Sequence, residues 1–453
     1  MEYGLIGEHL GHSFSKEIHG KLSPASYELR EVAREALPGF LKEGDFKGIN
    51  VTIPYKEAVI PYLDGISPEA KAIGAVNTIV RREGRLYGFN SDYFGLAALA
   101  DRAGIRFEGR QVLILGAGGA AKTVAALARD RGAASITHAV RHPRPDGQRS
   151  LSELGPGEPY EIVVNCTPVG MFPGEEETPV DLRYFPRLCG VLDLIYNPLR
   201  TNLILDAEAL GIPAAGGLYM LVAQAARARD LFDDVPDIVR SLAETPAGMR
   251  APSAAKDRLS AQRMTPDERM DEAPCRRRST APSRINDVFD ETLRSKRNLV
   301  LIGMPSSGKS TVGQHLAARS GRTFLDTDAL IIERAGKPIP RIFAEDGEAA
   351  FRRIESEVIR ALSVRNGLIL ATGGGAVLDP DNVRRLRRNG LLCRIDRDLE
   401  RLTPTEDRPL ARDPLALKAL YEQRKNAYAR ATDVVLDNNG PLENALQQAK
   451  ALI

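Results

Sequence analysis

Cysteine is scarce and scattered. The four residues Cys166, Cys189, Cys275 and Cys393 show no CxxC spacing in 453 positions, which argues against a zinc knuckle or a disulfide framework and suits a reducing, cytoplasmic setting. Surplus charge is equally scarce: the net charge of +2 is too small to point to a nucleic-acid or membrane partner. No apolar run approaches the about 20 residues a membrane span needs, and Met1 to Ser13 lacks the basic start and apolar core of a secretion signal, so neither anchoring nor export is expected. What is present is ordinary for a folded chain: 43% apolar and 27% charged residues sit near globular averages. The length exceeds what one hydrophobic core serves, so two or three domains are expected.

From Met1 to about Pro236, apolar runs such as Gln111 to Leu115, Glu161 to Asn165 and Val191 to Leu194 alternate with helical patterns, which predicts an α/β body with parallel strands. Thr245 to Pro282 is dense in Ala, Pro, Arg, Asp, Glu and Ser and has no sustained period. Residues 245–297 are therefore expected to be a linker, largely disordered, with a short lead-in helix over Arg284 to Arg294. Arg276, Arg277 and Arg278 have acids close upstream and read as solvated, not as a nucleic-acid patch. A second α/β pattern opens at Asn298 and runs to Ile453, a length that suits one domain. No repeat relates the halves.

The strongest local signal is Gly303-Met-Pro-Ser-Ser-Gly308-Lys309-Ser310, a GxxxxGK[ST] match between a predicted strand and the helical run Thr311 to Arg319. Glycine lets the backbone curl until successive N–H groups face phosphate, and the helix N-terminus adds positive potential. A nucleotide is expected on Gly303, Ser306, Ser307, Gly308, Lys309, Ser310 and Thr311, with Lys309 reaching the β and γ phosphates and the Ser310 hydroxyl ligating Mg²⁺. Further along come Asp326-Thr-Asp328 after a short strand, Arg352 on a helix with apolar Phe351, Ile354, Val358 and Leu362, and Thr372-Gly373-Gly374-Gly375 ending a buried strand. Arg408-Pro-Leu410 lies in a polar stretch, and Arg424 on a helix ending near Tyr428. A solvent-exposed arginine is the alternative at Arg352.

Together these spaced motifs resemble shikimate kinase over essentially all of 298–453. The resemblance implies Mg-ATP at Gly303 to Ser310, with Asp326 and Ser310 serving the metal and Asp328 holding the substrate hydroxyls. Arg352 and Arg424 would grip the carboxylate, since a planar guanidinium fork matches a planar carboxylate. Gly373, Gly374 and Gly375 would pack on the ring, and Arg408, on the lid, would close over the phosphates. The lid from Arg401 to Arg408 is shorter than in many relatives.

In the first half, Gln111 to Leu115 leads into Gly116-Ala-Gly118-Gly119-Ala120-Ala121 and then a helix, the strand-turn-helix setting of a dinucleotide fingerprint. After the next strand, Ser135 to Val140, Arg141 and Arg144 stand where an NAD enzyme keeps an acid, with none before Asp146. That favours a 2′-phosphate and hence NADP(H); surface arginines without a ligand are the alternative. Polar groups end the apolar stretches upstream: Ser13 and Ser15, Thr52 and Lys56, Asn77, and Asp92. A polyol acid needs such partners, and carbonyl reduction needs a proton donor, which Lys56 with Asp92 supplies. His9, His12 and His19 lack a nearby Cys or carboxylate pattern and are not expected to bind metal.

With these residues assembled, Met1 to about Leu242 resembles shikimate dehydrogenase. The resemblance implies a two-lobed α/β domain, 1–244, with substrate lobe 1–100 and 216–244 and a Rossmann-like NADP lobe 101–215, followed by the P-loop α/β kinase domain 298–453. Ser13, Ser15, Thr52, Lys56, Asn77, Asp92 and Gln224 would line the substrate pocket, with Lys56 and Asp92 as the catalytic pair. Asn165 to Met171, Tyr196 and Gly217 would lie beside the cofactor. Lys16 departs from the family where proline is common, and Val140 and His142 replace polar neighbours of Arg141.

The implied activity is bifunctional: NADPH-dependent reduction of 3-dehydroshikimate, then Mg-ATP-dependent phosphorylation of shikimate, with those small molecules as the partners. A shikimate-sensing regulator with inactive domains, and an NAD-linked quinate or shikimate dehydrogenase fused to the kinase, are the alternatives. A flexible linker of about 50 residues spans roughly 40 Å, too loose to enforce one geometry between the halves. Oligomeric state is not legible.

Overall fold

The computed structural model of the chain describes residues 1–11, 13–144, 147–233, 281–403 and 413–453. These pack as two bodies: residues 1–167, 183–194 and 212–289 form the first, and 168–182, 195–211 and 290–453 the second. His12, Asp146, Arg408 and the linker stretch 245–280 lie outside the described residues.

The first body holds two six-stranded sheets. One comprises β1 (Tyr3–Gly7), β2 (Tyr27–Glu31), β3 (Gly48–Val51), β4 (Gly65–Ile66), β5 (Thr78–Arg82) and β6 (Arg85–Phe89), in the order β2-β1-β3-β5-β6-β4. The other comprises β7 (Gln111–Leu115), β8 (Ser135–Val140), β9 (Arg149–Ser150), β10 (Ile162–Asn165), β11 (Gly190–Asp193) and β12 (Ala214–Gly216), in the order β12-β11-β10-β7-β8-β9. The expected parallel arrangement holds in this second sheet and not in the first, where β3–β5 and β5–β6 run antiparallel. The cause is local. Glu83 and Gly84 have φ of 50° and 77°, a two-residue turn whose left-handed centres match strand twist and return β5 directly into β6.

Strands β7, β10 and β11 are nearly all apolar and buried, as central parallel strands covered on both faces must be. Helix Gly119–Asp130 covers one face, burying Ala121, Val124, Leu127 and Ala128. Helices Ser91–Arg102 and Leu218–Asp233 add Leu96, Leu99, Val222 and Ala226 to the same core. They approach closely at Gly95, where a Cβ would lie 2.6 Å from the Met220 carbonyl and 2.9 Å from Gln224 Cβ. That approach is what brings Gln224 to the N-terminus of helix Ser91–Arg102.

Residues 282–296 correct the linker boundary. A helix, Pro282–Lys296, occupies the last part of the expected disordered stretch and is longer than the lead-in helix predicted there. Its few apolar residues share one face, so an average over composition hides them. Ile285 and Val288 are buried in the core of the first body with Phe289 packed against it, Asn286 accepts from Arg102 Nη1 at 2.8 Å and Tyr219 Oη at 3.0 Å, and Tyr219 meets Phe289 edge-on at 5.1 Å.

His19 is buried, 2% exposed. Its ring stacks on Tyr27 at 3.8 Å, and among the described residues neither ring nitrogen has a hydrogen-bond partner of good geometry. Burial, and then the charge of Arg229, push the imidazole from 6.5 down to about 3, with nearby Asn50 opposing. A depressed folded value means the unfolded chain binds the proton more readily, so stability falls as pH drops from 6.5 towards 3. Urea midpoints recorded across that window should fall less steeply in His19→Phe, and an unchanged slope would rule this residue out as the cause.

The second body centres on a five-stranded parallel sheet of β13 (Asn298–Ile302), β14 (Phe324–Asp326), β15 (Ile369–Ala371), β16 (Gly390–Asp396) and β17 (Val434–Asp437), in the order β14-β15-β13-β16-β17. Val300, Ile302, Leu370 and Leu392 face one core with Phe351, Val358 and Leu362. Leu299, Leu301, Ile369 and Ile395 face the other with Val312 and Leu316. No helix among the described residues is long and apolar enough to cross a membrane.

Candidate active sites

In the first body β3 ends at Val51, and the chain turns into the short helix Tyr55–Ala58, which carries Lys56. Asp92 lies in the first turn of helix Ser91–Arg102, whose N-cap, Asn90, accepts from Tyr93 N. Lys56 Nζ donates to Asp92 Oδ2 at 2.6 Å, with 20% and 13% of the two side chains exposed. The pair is thus mostly sheltered yet open to a small molecule. A continuous polar chain stands behind it: Tyr27 Oη donates to Asn50 Oδ1, Asn50 Nδ2 to Thr78 Oγ1, and Thr78 Oγ1 to Asn77 Oδ1. Asn77 Oδ1 also accepts from Ser91 N at 2.7 Å, while its Nδ2 donates to Ser91 Oγ at 3.0 Å. Ser91 Oγ in turn donates to Gln224 Oε1 at 3.3 Å. Such a satisfied buried network fixes side chains in one arrangement. Ser15 N donates to Ser13 Oγ at 3.2 Å at the start of helix Ser15–Leu22, and Thr52 O receives Tyr55 N at 2.9 Å.

In the second sheet of this body the strand order reverses between β7 and β10, which is where ligands lodge in such sheets. Gly116 follows β7, and Asn165 ends β10 ahead of Cys166 and Thr167; Thr167 Oγ1 donates to Asn165 Oδ1 at 2.7 Å and Asn165 Nδ2 to Asp193 Oδ1 at 3.0 Å. Gly118 is the N-cap of helix Gly119–Asp130, and a Cβ there would meet nothing within 4 Å. Free space before a helix N-terminus fits a pyrophosphate. At Gly119 a Cβ would lie 3.9 Å from Lys56 Cδ, so the fingerprint turn and the lysine border one space. Ala120 follows in the same first turn. Arg141 and Arg144 are exposed, which leaves their guanidinium groups accessible to a ligand. Gly217 accepts from Leu221 N. Tyr196 belongs to the second body, half buried, its hydroxyl pushed up by burial.

The kinase motif of the second body follows β13. Gly308 has φ of 97° and a Cβ there would lie 2.5 Å from Asn438 Nδ2, so both backbone angle and space demand glycine. Ser306 adopts φ of 63°, a strain of roughly 1 kcal/mol for a residue with a side chain. Lys309 Nζ donates to Gly303 O at 3.0 Å and Met304 O at 2.8 Å, drawing the loop around the ammonium. Ser307 Oγ is buried without a partner among the described residues, which suits a hydroxyl that would meet phosphate. Ser310 Oγ donates to Asp326 Oδ2 at 2.6 Å, and the carboxylate's other oxygen receives Asp328 N at 2.9 Å. A hydroxyl beside a carboxylate is the donor pair that suits Mg²⁺ with phosphate oxygens. Thr311 continues the helix Lys309–Ser320.

Around the glycine run the structure gathers Asp328, Arg352, Glu355 and Arg424. A Cβ at Gly373 would lie 2.8 Å from both Asp328 Oδ1 and Glu355 Oε1, and one at Gly374 would lie 3.3 Å from Arg424 Nη1. The Arg352 guanidinium flanks Gly375 and donates to Glu355 Oε2 at 2.7 Å. Burial pushes the Glu355 carboxyl up and Arg352 opposes it; burial pushes the Arg424 guanidinium down, with Arg352 adding to the effect. Two arginines thus meet two carboxylates, Asp328 and Glu355, beside bare backbone, so the guanidinium groups offer directional donors to an anion without a surplus of charge.

Glu355, Tyr428 and Asn438 escaped sequence reasoning. Glu355 sits one helical turn from Arg352 and is 1% exposed. Tyr428 Oη donates to Gly374 O at 2.5 Å, and Asn438 Nδ2 donates to Ser307 O at 2.8 Å. The i, i+3 spacing of Arg352 and Glu355 was an available signal. Nothing local marks the other two, because their partners are far along the chain.

Residues 5–79 match the family model for the shikimate dehydrogenase substrate binding domain, and residues 305–452 that for shikimate kinase. The shikimate dehydrogenase (NADP(+)) of Clostridium perfringens is 37% identical over 250 residues, covering 51% of this chain and 92% of that protein. That of Clostridium beijerinckii is 38% identical over 249 residues, with 51% and 92% covered. Among solved structures, shikimate dehydrogenase 1 of Peptoclostridium difficile is 38% identical, covers 52% of this chain and 92% of its own, and has a TM-score of 0.48. The N-terminal half therefore belongs to the shikimate dehydrogenase family, and with the shikimate kinase domain that follows it the chain is a bifunctional shikimate-pathway enzyme.

Proposed function

We propose that the N-terminal half reduces 3-dehydroshikimate to shikimate with NADPH and that the C-terminal half phosphorylates the 3-hydroxyl of shikimate with Mg-ATP. The observation that carries the first part is the Lys56–Asp92 pair, 2.6 Å apart, beside the turn at Gly119. When bound, the nicotinamide supplies the hydride. Lys56 and Asp92 hold the proton that reaches the ketone oxygen as it becomes a hydroxyl, while Asn77, Gln224, Ser13, Ser15 and Thr52 orient the ring hydroxyls and carboxylate. In the second part, Arg352 and Arg424 hold the carboxylate, Asp328 holds the attacking hydroxyl, and Gly373 to Gly375 support the ring. Lys309 offsets charge on the transferred phosphoryl, Ser310 and Asp326 hold the metal, and Arg408 completes the phosphate clamp. The thinly spread cysteines are in keeping with a cytoplasmic location.

The exposed Arg141 and Arg144, with no acid at the ribose position, support NADP(H) over NAD. Comparing the two cofactors tests this: Arg141→Ala should lower kcat/KM for NADPH about tenfold or more, as loss of a charge-assisted hydrogen bond does, and leave NADH nearly unchanged. Equal rates with both cofactors, or quinate as the better substrate, would favour the NAD-linked reading.

Gly373→Ala should raise KM for shikimate in the kinase assay by about tenfold or more, with KM for ATP unmoved. The added methyl would press on two carboxylate oxygens and shift the groups that hold the substrate. A normal KM would remove the glycine run from the pocket.

A further inference from the structure

The arginine-rich run Arg384-Arg385-Leu386-Arg387-Arg388 plays no part in either proposed reaction, yet it contains the largest fully buried side chain described. Arg388 is 1% exposed. It lies on helix Pro380–Asn389, between β15 and β16 of the kinase sheet. Its partners come from the dehydrogenase half, in the two stretches 168–182 and 195–211 that pack within the same body.

Arg388 Nη1 and Nη2 donate to Glu176 Oε1 and Oε2, each at 3.0 Å, and Nε donates to Asn202 Oδ1 at 3.2 Å. Each of the three guanidinium nitrogens thus meets an acceptor, and such pairing is what lets a buried arginine be tolerated. Arg385 Nε adds a contact to Glu176 Oε1 at 3.2 Å. Arg384 reaches Asp206 Oδ1 at 2.6 Å, Asn202 Oδ1 at 2.9 Å and Asn202 O at 3.2 Å. Bonds also run the other way. Arg200 Nε donates to Arg387 O and its Nη2 to Gly390 O, both at 2.9 Å, while Arg200 N donates to Arg388 O. These are C-terminal carbonyls of helix Pro380–Asn389, where a positive charge is favoured. Leu199 N donates to Asn389 Oδ1 at 2.9 Å, and Asn389 is itself buried. Asn202 ties the two stretches together through Nδ2, which donates to Glu175 O and Glu176 O.

We propose that residues 168–182 and 195–211 of the dehydrogenase half and helix Pro380–Asn389 of the kinase half form a built intramolecular interface, keyed by Arg388 in the fork of Glu176 and Asn202. Its partner is this chain's own kinase domain. The interface is made of described residues alone. It also has a consequence for the first reaction. The stretch 168–182 begins directly after Asn165-Cys166-Thr167, and 195–211 contains Tyr196, so the kinase helix steadies segments expected beside the cofactor. Arg388 and Glu176 are positioning residues in this scheme, remote from the reacting atoms.

The test uses full-length protein with Glu176→Arg, Arg388→Glu, the double swap, and the milder Arg384→Ala, followed by hydrogen exchange over 168–182, 195–211 and 380–389. Glu176→Arg should speed exchange in all three segments by about tenfold or more, and the double swap should recover part of the protection. Arg384→Ala should speed exchange mainly in 195–211 and 380–389. If Arg388→Glu disrupts the kinase domain itself, lost shikimate phosphorylation will reveal it, and Glu176→Arg with Arg384→Ala then decide. The second readout rests on the NADP reading above: KM for NADPH should rise on the order of tenfold, while KM for ATP and shikimate in the kinase assay stays put. Unchanged exchange over 380–389 in both Glu176→Arg and Arg384→Ala would overturn the interface. Faster exchange with an unchanged NADPH KM would retain the interface and overturn its effect on the cofactor, whatever substrate the first half reduces.

Discussion

Replacing Lys56 with methionine should lower kcat for dehydroshikimate reduction by about 10²- to 10⁴-fold, the range that loss of a positioned proton donor produces, while phosphorylation by the same molecules continues. The argument rests on geometry. Lys56 Nζ and Asp92 Oδ2 are 2.6 Å apart and mostly sheltered, and Asp92 is held at a helix start by neighbours that are themselves bonded, Asn90 and Ser91. Methionine keeps most of the stem's bulk, so the pocket keeps its shape and KM should move little. Asp92→Asn retains a polar group of the same size and should be slowed by less. Rates of NADPH oxidation, with the kinase assayed in parallel as an internal check of folding, measure both. A Lys56→Met rate within twofold of the parent would remove the pair from the mechanism.

Lys309→Met should do the converse, lowering phosphoryl transfer by about 10²- to 10³-fold, the usual loss when one preorganised charge donor to the transition state is removed, with dehydrogenase activity retained. In the proposed reaction the side chain has two roles. It now ties the loop through Gly303 O and Met304 O, and with nucleotide bound its charge turns to the phosphates. The variant should therefore lose ATP affinity as well as rate. Isothermal titration with ATP and Mg²⁺, alongside a single-turnover assay, separates those losses. If ATP binding and turnover both survived, the GxxxxGK[ST] match would not be a nucleotide site.

Much of the geometry at both candidate sites was legible because it depends on the local backbone. A loop that curls around phosphate needs glycine at fixed spacing, so Gly303, Gly308 and Lys309 were readable, as was the turn from Gly116 to Ala121. Lys56 and Asp92 were readable as a set and not singly. Contacts set by tertiary burial were not. Glu355 owes its place to being enclosed between Arg352 and the backbone at Gly373, and Tyr428 reaches Gly374 from a helix more than 50 residues away. The antiparallel β3–β5–β6 pairing was hidden because alternation of apolar residues does not reveal strand direction, although Glu83-Gly84 was a turn signal in plain view. Helix Pro282–Lys296 was only partly anticipated, since its buried face consists of a few residues in a charged segment. Arg388 had no visible purpose in the sequence, because its partners lie more than 180 positions earlier.

The most direct test of the bifunctional account incubates purified full-length protein with 3-dehydroshikimate, NADPH and Mg-ATP and identifies the products by mass spectrometry. The account predicts shikimate 3-phosphate when both cofactors are present, and shikimate alone when ATP is withheld. Tight shikimate binding with no conversion under any of these conditions would contradict it and favour a sensing role.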